Sequence, residues 1–320
     1  MDNIYSDFAY DDAFRTMESE CDDILISFVN YFHNEYYDRS AKVIRGRNEH
    51  FIEHEDHSED KRITDSSFTI EANNRSKNYH YECESGKYDD SLLIRMFEYD
   101  AQIALDRAEV CEQRLRVEFP YSGLLLLRGS DGFDKAVIEI VTSGGSVEYP
   151  VVVRHMSGLT IEDIFQKHLY MLLPFYVFNL EKGLDTIEED SGELADFVEL
   201  YRNIAGRLDL DLAKGYLSQF SHGVIISLIH KVMYKMNVKR SNIRERIGDI
   251  MGGKVLELDI IKARHEGLAE GLAEGRTIGE VIGEARGKEN SVMKLAASYM
   301  KQDSPLTEEE AMEMARAILE

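Results

Sequence analysis

The 320-residue sequence predicts an α/β protein: a mixed β-sheet flanked by helices, with a C-terminal helical extension. Three observations carry that expectation. Two hairpin-like stretches, 62–85 and 135–155, bracket a continuous apolar run at 123–128, GLLLLR. Such a run, of strand length and without alternation, is the mark of a strand buried on both faces. A helix-patterned segment at 91–108 separates the first hairpin from that run, and from Thr160 onward the spacing is helical.

Taken in order, Ile24, Phe28 and Phe32 recur at i, i+4 and i+8 with Leu25 and Val29 beside them, behind the Asp22–Asp23 pair. That is an amphipathic helix with acids at its dipole-favoured start. Residues 45–61 are polar and read as loop. RITDSSFTIEA (62–72) and KNYHYECES (77–85) are strands joined by the turn signal NNRS. SLLIRMFEYDAQIALDRA (91–108) places Leu92, Met96, Tyr99 and Ile103 on one helical stripe. KAVIEIVTSGGSVEYPVVVRH (135–155) alternates on both sides of Gly144–Gly145, which predicts the second hairpin. Helices are expected at 160–180, about 192–215 and about 218–248. Six glycines from Gly267 to Gly287 then fall every fourth residue. Each costs about 1 kcal/mol against Ala in a helix interior. Backbone-to-backbone packing would offset that cost, as in self-association, and a marginal low-complexity helix fits the pattern equally. Thr307 and Glu310 match a capping box ahead of a last helix through Ile318 and Leu319.

Composition narrows the function classes. Apolar content of 43% with 10% aromatics supports a real core. The opening MDNIYSDFAYDD has no positive segment followed by an apolar one, so no signal peptide is expected. The longest apolar stretch, 169–180, is too short to span a bilayer and contains Pro174. Cys21, Cys83 and Cys111 are odd in number and outside any CxxC pattern, which reads as reduced thiols in a cytoplasmic protein. No GxxxxGK[ST] or GxGxxG is present, and His50, His54 and His57 lack an HExxH companion. The formal charge of −23 argues against a broad nucleic-acid-coating surface. That total is an average over unlike segments, however. Residues 1–60 hold 16 acids against 5 bases, whereas residues 231–246 hold six bases and one Glu. A run of that kind is either a solvated helix face or a local phosphate contact.

One constellation carries chemistry. Glu82 and Glu84 share one face of a strand while Tyr81 and Cys83 take the other. With Asp65 across the hairpin, three carboxylates would converge. Two charges 4 Å apart repel by roughly 4 kcal/mol at an effective dielectric of 20. Such a cluster stays ionised beside a cation, and hard oxygen ligands select Mg²⁺ or Mn²⁺. The same acids also fit a solvated face in a chain with 60 acidic side chains.

TDSSFTI, YHYECES and SLLIRMFEYDAQIAL together resemble the PD-(D/E)XK nuclease superfamily, most closely its bacterial recombination-promoting nuclease and transposase-like group. YDDAFR (10–15), which aligns Asp11 and Phe14, the tail glycines and MGGKVLEL (251–258) are similar to that group too. The resemblance implies a restriction-endonuclease-like core over 1–180, a helical extension over 181–255 and a Gly-periodic helical tail over 256–320. It implies a metal-dependent DNA endonuclease, linked to recombination or mobile elements. By position Asp65 and Glu82 are the metal ligands, the Cys83 backbone carbonyl is a further ligand, and Gln102 stands near the site on the following helix. Glu84 stands where Lys is expected, a departure, because a carboxylate offers no positive charge to water or to developing phosphate charge. It would act as a base or hold a second metal. A core of this kind that has lost catalysis would instead be a DNA- or protein-binding module. DNA contact is expected to be local and metal-assisted, at Lys231, Lys235, Lys239, Arg240 and Arg244, with Arg62, Arg75 and Arg95 as further candidates. The other alternative is an interaction protein that self-associates through its helical tail and whose acids are merely solvated. A homo-oligomer through the C-terminal helices is the expected assembly, with no membrane contact.

Overall fold

A computed structural model describes residues 10–45, 49–53, 59–63, 66–129, 132–251, 293–297 and 307–319, and for residues 49–63 only the backbone. The chain divides into two compact units, Met1–Val255 and Leu256–Glu320.

The first unit is α/β, as the strand and helix patterns predict. Its sheet is built from β1 (Lys42–Arg45), β4 (Ser66–Ala72), β5 (Arg75–Glu84), β8 (Tyr121–Leu126), β9 (Lys135–Thr142) and β10 (Gly145–His155), in the order β1-β4-β5-β8-β10-β9. β8 lies between β5 and β10 and parallel to both, while the outer pairings are antiparallel. A parallel neighbour on each side and buried Leu124 and Leu125 on opposite faces explain why this strand reads as an uninterrupted apolar run. The first hairpin turns on Asn73 and Asn74, both at positive φ (51° and 58°), a conformation that asparagine tolerates and a two-residue hairpin requires.

Helices cover both faces. α1 (Tyr10–Glu20) and α2 (Asp22–His33) lie against the odd-numbered side chains of β5. Phe14 meets Phe28 at 5.5 Å, and Phe28 and Phe32 meet the Tyr81 ring at 5.1 and 5.0 Å. Each such ring contributes roughly 1.5–3 kcal/mol by leaving water. Gly123 of β8 completes this packing: a Cβ there would stand 2.6 Å from the Tyr81 ring and 2.8 Å from Phe32. α3 (Ser91–Asp106) covers the other face, where Leu92 and Met96 join Leu124, Leu126, Val151 and Val153.

Beyond β10 the helix expected over about 192–215 is found at Ser191–Ala213, while the other two are interrupted. The segment expected as one helix over 160–180 is α4 (Ile161–Gln166), a left-handed His168, and consecutive 3-10 turns over Tyr170–Gly183. Pro174 cannot donate an intrahelical hydrogen bond and clashes with the preceding turn, so the α-helical ladder does not run through it. Next come α5 (Leu184–Glu189), α6 (Ser191–Ala213), α7 (Gln219–Met236) and α8 (Ser241–Ile250). The helix expected over 218–248 is thus two, broken where the Asn237 amide turns back to donate to the Met233 carbonyl at 2.9 Å.

Two small hairpins were not anticipated. β2 (Glu49–Glu53) lies inside the segment read as loop, where dense charge hides the β-forming Phe51 and Ile52, and pairs with β3 (Glu59–Ile63), which runs from that segment into the start of the stretch read as a strand. β6 (Glu109–Cys111) and β7 (Arg114–Arg116) turn on Glu112 and Gln113 at positive φ, residues that carry no turn signal. The loop of the second large hairpin is Ser143–Gly144, with Gly145 already opposite Thr142.

In the second unit, α9 (Glu308–Leu319) starts directly after Thr307, and Ala296, Ala311 and Ala315 bury together. The side chain of Glu310 and the Gly-periodic stretch lie outside the described residues, as does MGGKVLEL beyond Met251.

His33 closes α2 among the rings of Tyr79, Tyr81 and Tyr121, its Nε2 buried without a hydrogen-bond partner. Burial, then the charges of Arg154 and Lys77, hold its pKa down to about 4 from 6.5. Between pH 6.5 and 4 the unfolded chain therefore binds the extra proton. This contribution, about 3 kcal/mol, is present above pH 6.5 and lost as pH falls through 4. His33→Phe is expected to shrink the gap between urea midpoints at pH 7 and pH 4.5; an unchanged gap would refute the assignment.

Candidate active site

Strand alternation on β5 places His80, Glu82 and Glu84 under α3, and Tyr79, Tyr81 and Cys83 under α1 and α2. The acids' face is not an open one. His80 and Asp100 are fully buried and Glu82 is 3% exposed. Taking such groups from water is tolerated only when they pair with one another.

The pairing is explicit. The imidazole of His80 bridges two carboxylates, with Nδ1 2.7 Å from Asp100 Oδ1 and Nε2 3.3 Å from Glu82 Oε1. Asp100 also accepts from Ser122 Oγ at 2.8 Å to each oxygen, and from the Tyr149 hydroxyl at 3.1 Å. Register explains the meeting: His80 is directly opposite Ser122 on β8, and Val151, two residues after Tyr149, is opposite Ser122 on β10. Burial pulls the His80 pKa down. The Asp100 hydrogen bond and charge, then those of Glu82, outweigh it and raise the ring to about 9. The ring is therefore an imidazolium at neutral pH, with a donor aimed at each carboxylate.

Further along β5, Arg95 reaches down from the second turn of α3. Its Nε is 3.2 Å from Glu82 Oε2 and its Nη2 3.2 Å from Glu84 Oε2. The other oxygen of Glu84 accepts the Gly86 amide at 2.6 Å. A side chain on Gly86 would put its Cβ 2.9 Å from that oxygen and push the Glu84 carboxylate aside. The loop is tied at its base: Arg128 donates to the Ser85 carbonyl and ion-pairs with Glu181 at 2.7 Å. Two carboxylates thus converge on one cation at the carboxyl ends of the parallel strands β5 and β8, the edge where open α/β sheets place their sites.

The expected residues are distributed unevenly. Glu82 and Glu84 are brought together. Asp65 lies outside the described residues; its neighbour Ser66 pairs with Tyr81, the neighbour of Glu82. Cys83 is buried beneath the opposite face. Gln102 donates to Asp106 at 3.2 Å, four residues along the same helix, and to neither carboxylate. Arg95 does join the acids, whereas Arg75 opens β5, about 30 Å from Glu84 at strand rise. The side chain of Arg62 lies outside the described residues.

The basic run is on the other side. α7 packs on α1 and the 3-10 turns, the layer opposite α3. Of the run's cations, Lys235 on α7 lies 4.8 Å over the Tyr10 ring, Arg240 just ahead of α8 pairs with Asp185 at 2.8 Å, and Arg244 on α8 stacks on Tyr234 at 3.8 Å. Lys231 and Lys239 belong to the same run, Lys239 exposed. None of the five shares a sheet face with Glu82.

The residues that the sequence left unnoticed are His80, Asp100, Ser122 and Tyr149. A signal for Asp100 existed: it stands four residues after Met96 and three before Ile103, an acid inside an apolar helical stripe.

Among the described residues no trio of His, Cys, Asp and Glu side chains forms a ready metal cage. The donor set at hand is two carboxylates sharing a monovalent cation, which suits Mg²⁺ or Mn²⁺ once a third oxygen ligand joins. No helix among the described residues is long and apolar enough to cross a membrane. Comparison with protein-family models, curated proteins and solved structures gave no match.

Proposed function

We propose that the chain is a metal-dependent endonuclease hydrolysing DNA phosphodiester bonds on a PD-(D/E)XK-like core. The observation that carries this reading is the convergence of Glu82 and Glu84 on a single positive centre, at the carboxyl edge of a mixed sheet. Asp65 and Glu82 are the proposed ligands of Mg²⁺ or Mn²⁺, which when bound would polarise a phosphate oxygen and acidify water. The chain's own residues do the rest. His80 and Arg95 fix the Glu82 carboxylate from both sides. Glu84, held at one oxygen by Gly86, takes a proton from the attacking water as its oxygen bonds to phosphorus. The phosphorus–oxygen bond to the leaving nucleotide breaks, that alkoxide takes a proton from solvent, and Glu84 returns its proton to solvent.

A nuclease-like binding module without catalysis is the second reading. It is favoured by Arg95, which already stands as a counter-ion to both carboxylates. Supercoiled plasmid with Mg²⁺ or Mn²⁺ separates the two. The wild type is expected to nick or linearise it, while Asp65→Ala and chelator-treated protein leave it intact. Plasmid left intact by wild type and Asp65→Ala alike favours the binding module.

A further inference from the structure

Glu84 occupies the position where the resemblance leads one to expect Lys, so the strand itself supplies no cation. The helix above it does. Arg95 is the fifth residue of α3, and its guanidinium stands 3.2 Å from an oxygen of each acid while its side chain stays 39% exposed. Two features set this contact apart from a surface ion pair. One cation faces two carboxylates, and one of the two, Glu82, is buried and held on its other oxygen by His80. A divalent cation taking the Glu82 oxygen has to compete with the guanidinium for it, and a guanidinium that yields there releases Glu84 as well. The half-exposed arginine has room to yield, whereas buried Glu82 does not.

Resting on the nuclease reading, we propose that Arg95 is the exchangeable counter-ion of Glu82 and Glu84: it gives way to the metal and then contacts the substrate phosphate, supplying the positive charge that residue 84 lacks. Chemistry fits this division of labour. Guanidinium is never deprotonated in a protein, so Arg95 is no base; its planar fork instead suits two phosphate oxygens at once. Glu84 is left free for proton transfer. No extra reactant is needed, because one cation replaces another on Glu82 and Glu84 is released by the same movement.

The proposal separates two quantities that a merely structural residue would move together. Arg95→Ala is expected to bind Mn²⁺ at least threefold more tightly, read from the free-ion paramagnetic resonance signal at pH 7. The same variant is expected to cleave plasmid at least tenfold more slowly at saturating Mn²⁺. Arg95→Lys should recover part of the cleavage and bind Mn²⁺ with intermediate affinity. Melting temperatures report folding, and if Arg95→Ala fails to fold, Arg95→Gln takes its place. Mn²⁺ affinity and cleavage that stay unchanged, or that fall together in the folded variants, would overturn the role of Arg95. A wild type that neither binds Mn²⁺ nor cleaves defeats the nuclease reading itself, and this proposal with it. A wild type that cleaves beside an equally active Arg95→Ala defeats the proposal alone.

Discussion

Asp100→Ala is expected to lower the melting temperature by about 10 °C, more than any other single change at the site. Asp100 is fully buried and serves three partners, His80, Ser122 and Tyr149. Its removal leaves the buried His80 ring with one carboxylate instead of two, and takes from the Ser122 and Tyr149 hydroxyls the carboxylate they share. Removing one member of a buried pair costs roughly 3–5 kcal/mol. In a unit of this size each kcal/mol is worth about 2–4 °C. The loss should be accompanied by a change in His80, whose pKa of about 9 depends most on Asp100 among the influences that raise it. Nuclear magnetic resonance of the ring should find a proton on both nitrogens at pH 7.5 in the wild type and on one in the variant. Asp100→Asn keeps an oxygen for Ser122 or Tyr149 and should fall between. A melting temperature within 2 °C of the wild type for Asp100→Ala would refute the network as a support.

The network also marks where sequence reasoning stops. Elements were legible wherever one face met water and the other met the core, as in the Ile24–Phe28–Phe32 stripe and the hairpin on Asn73–Asn74. β8 was legible for the opposite reason, both of its faces being apolar. Glu82 and Glu84 were assigned to one face by alternation alone. What covers that face was not legible, because it depends on α3 crossing from β5 to β8 and bringing Asp100 over a strand twenty residues away. The basic run failed for a related reason. Spacing places Lys231, Lys235 and Lys239 on a helix, yet only tertiary packing assigns that helix to the layer opposite the acids. The break at Asn237 and the 3-10 turns around Pro174 are likewise local outcomes that an apolar pattern cannot carry.

Glu82→Gln is expected to reduce plasmid cleavage at least about 100-fold, the scale on which metal sites respond when even their supporting residues are lost. The argument turns on what an amide can still do. Gln keeps the length and volume of Glu, so the space between His80 and Arg95 stays filled. An amide carries one oxygen, whereas residue 82 faces two positive groups: the His80 ring, whose Nε2–H points at Oε1, and the Arg95 guanidinium, ion-paired with Oε2 at 3.2 Å. One of them must face the amide NH₂, at a cost of about 1–3 kcal/mol for the unmatched group. The fold should therefore survive with a melting temperature only a few degrees lower, well short of the loss in Asp100→Ala. On the proposed nuclease reading cleavage should not survive, because the variant lacks the charge that would hold a divalent cation. The two variants thus diverge, Asp100→Ala losing mainly stability and Glu82→Gln mainly activity. If Glu82→Gln remains folded and cleaves at the wild-type rate, the carboxylate is only a partner for His80 and Arg95, and the catalytic centre lies elsewhere in the chain.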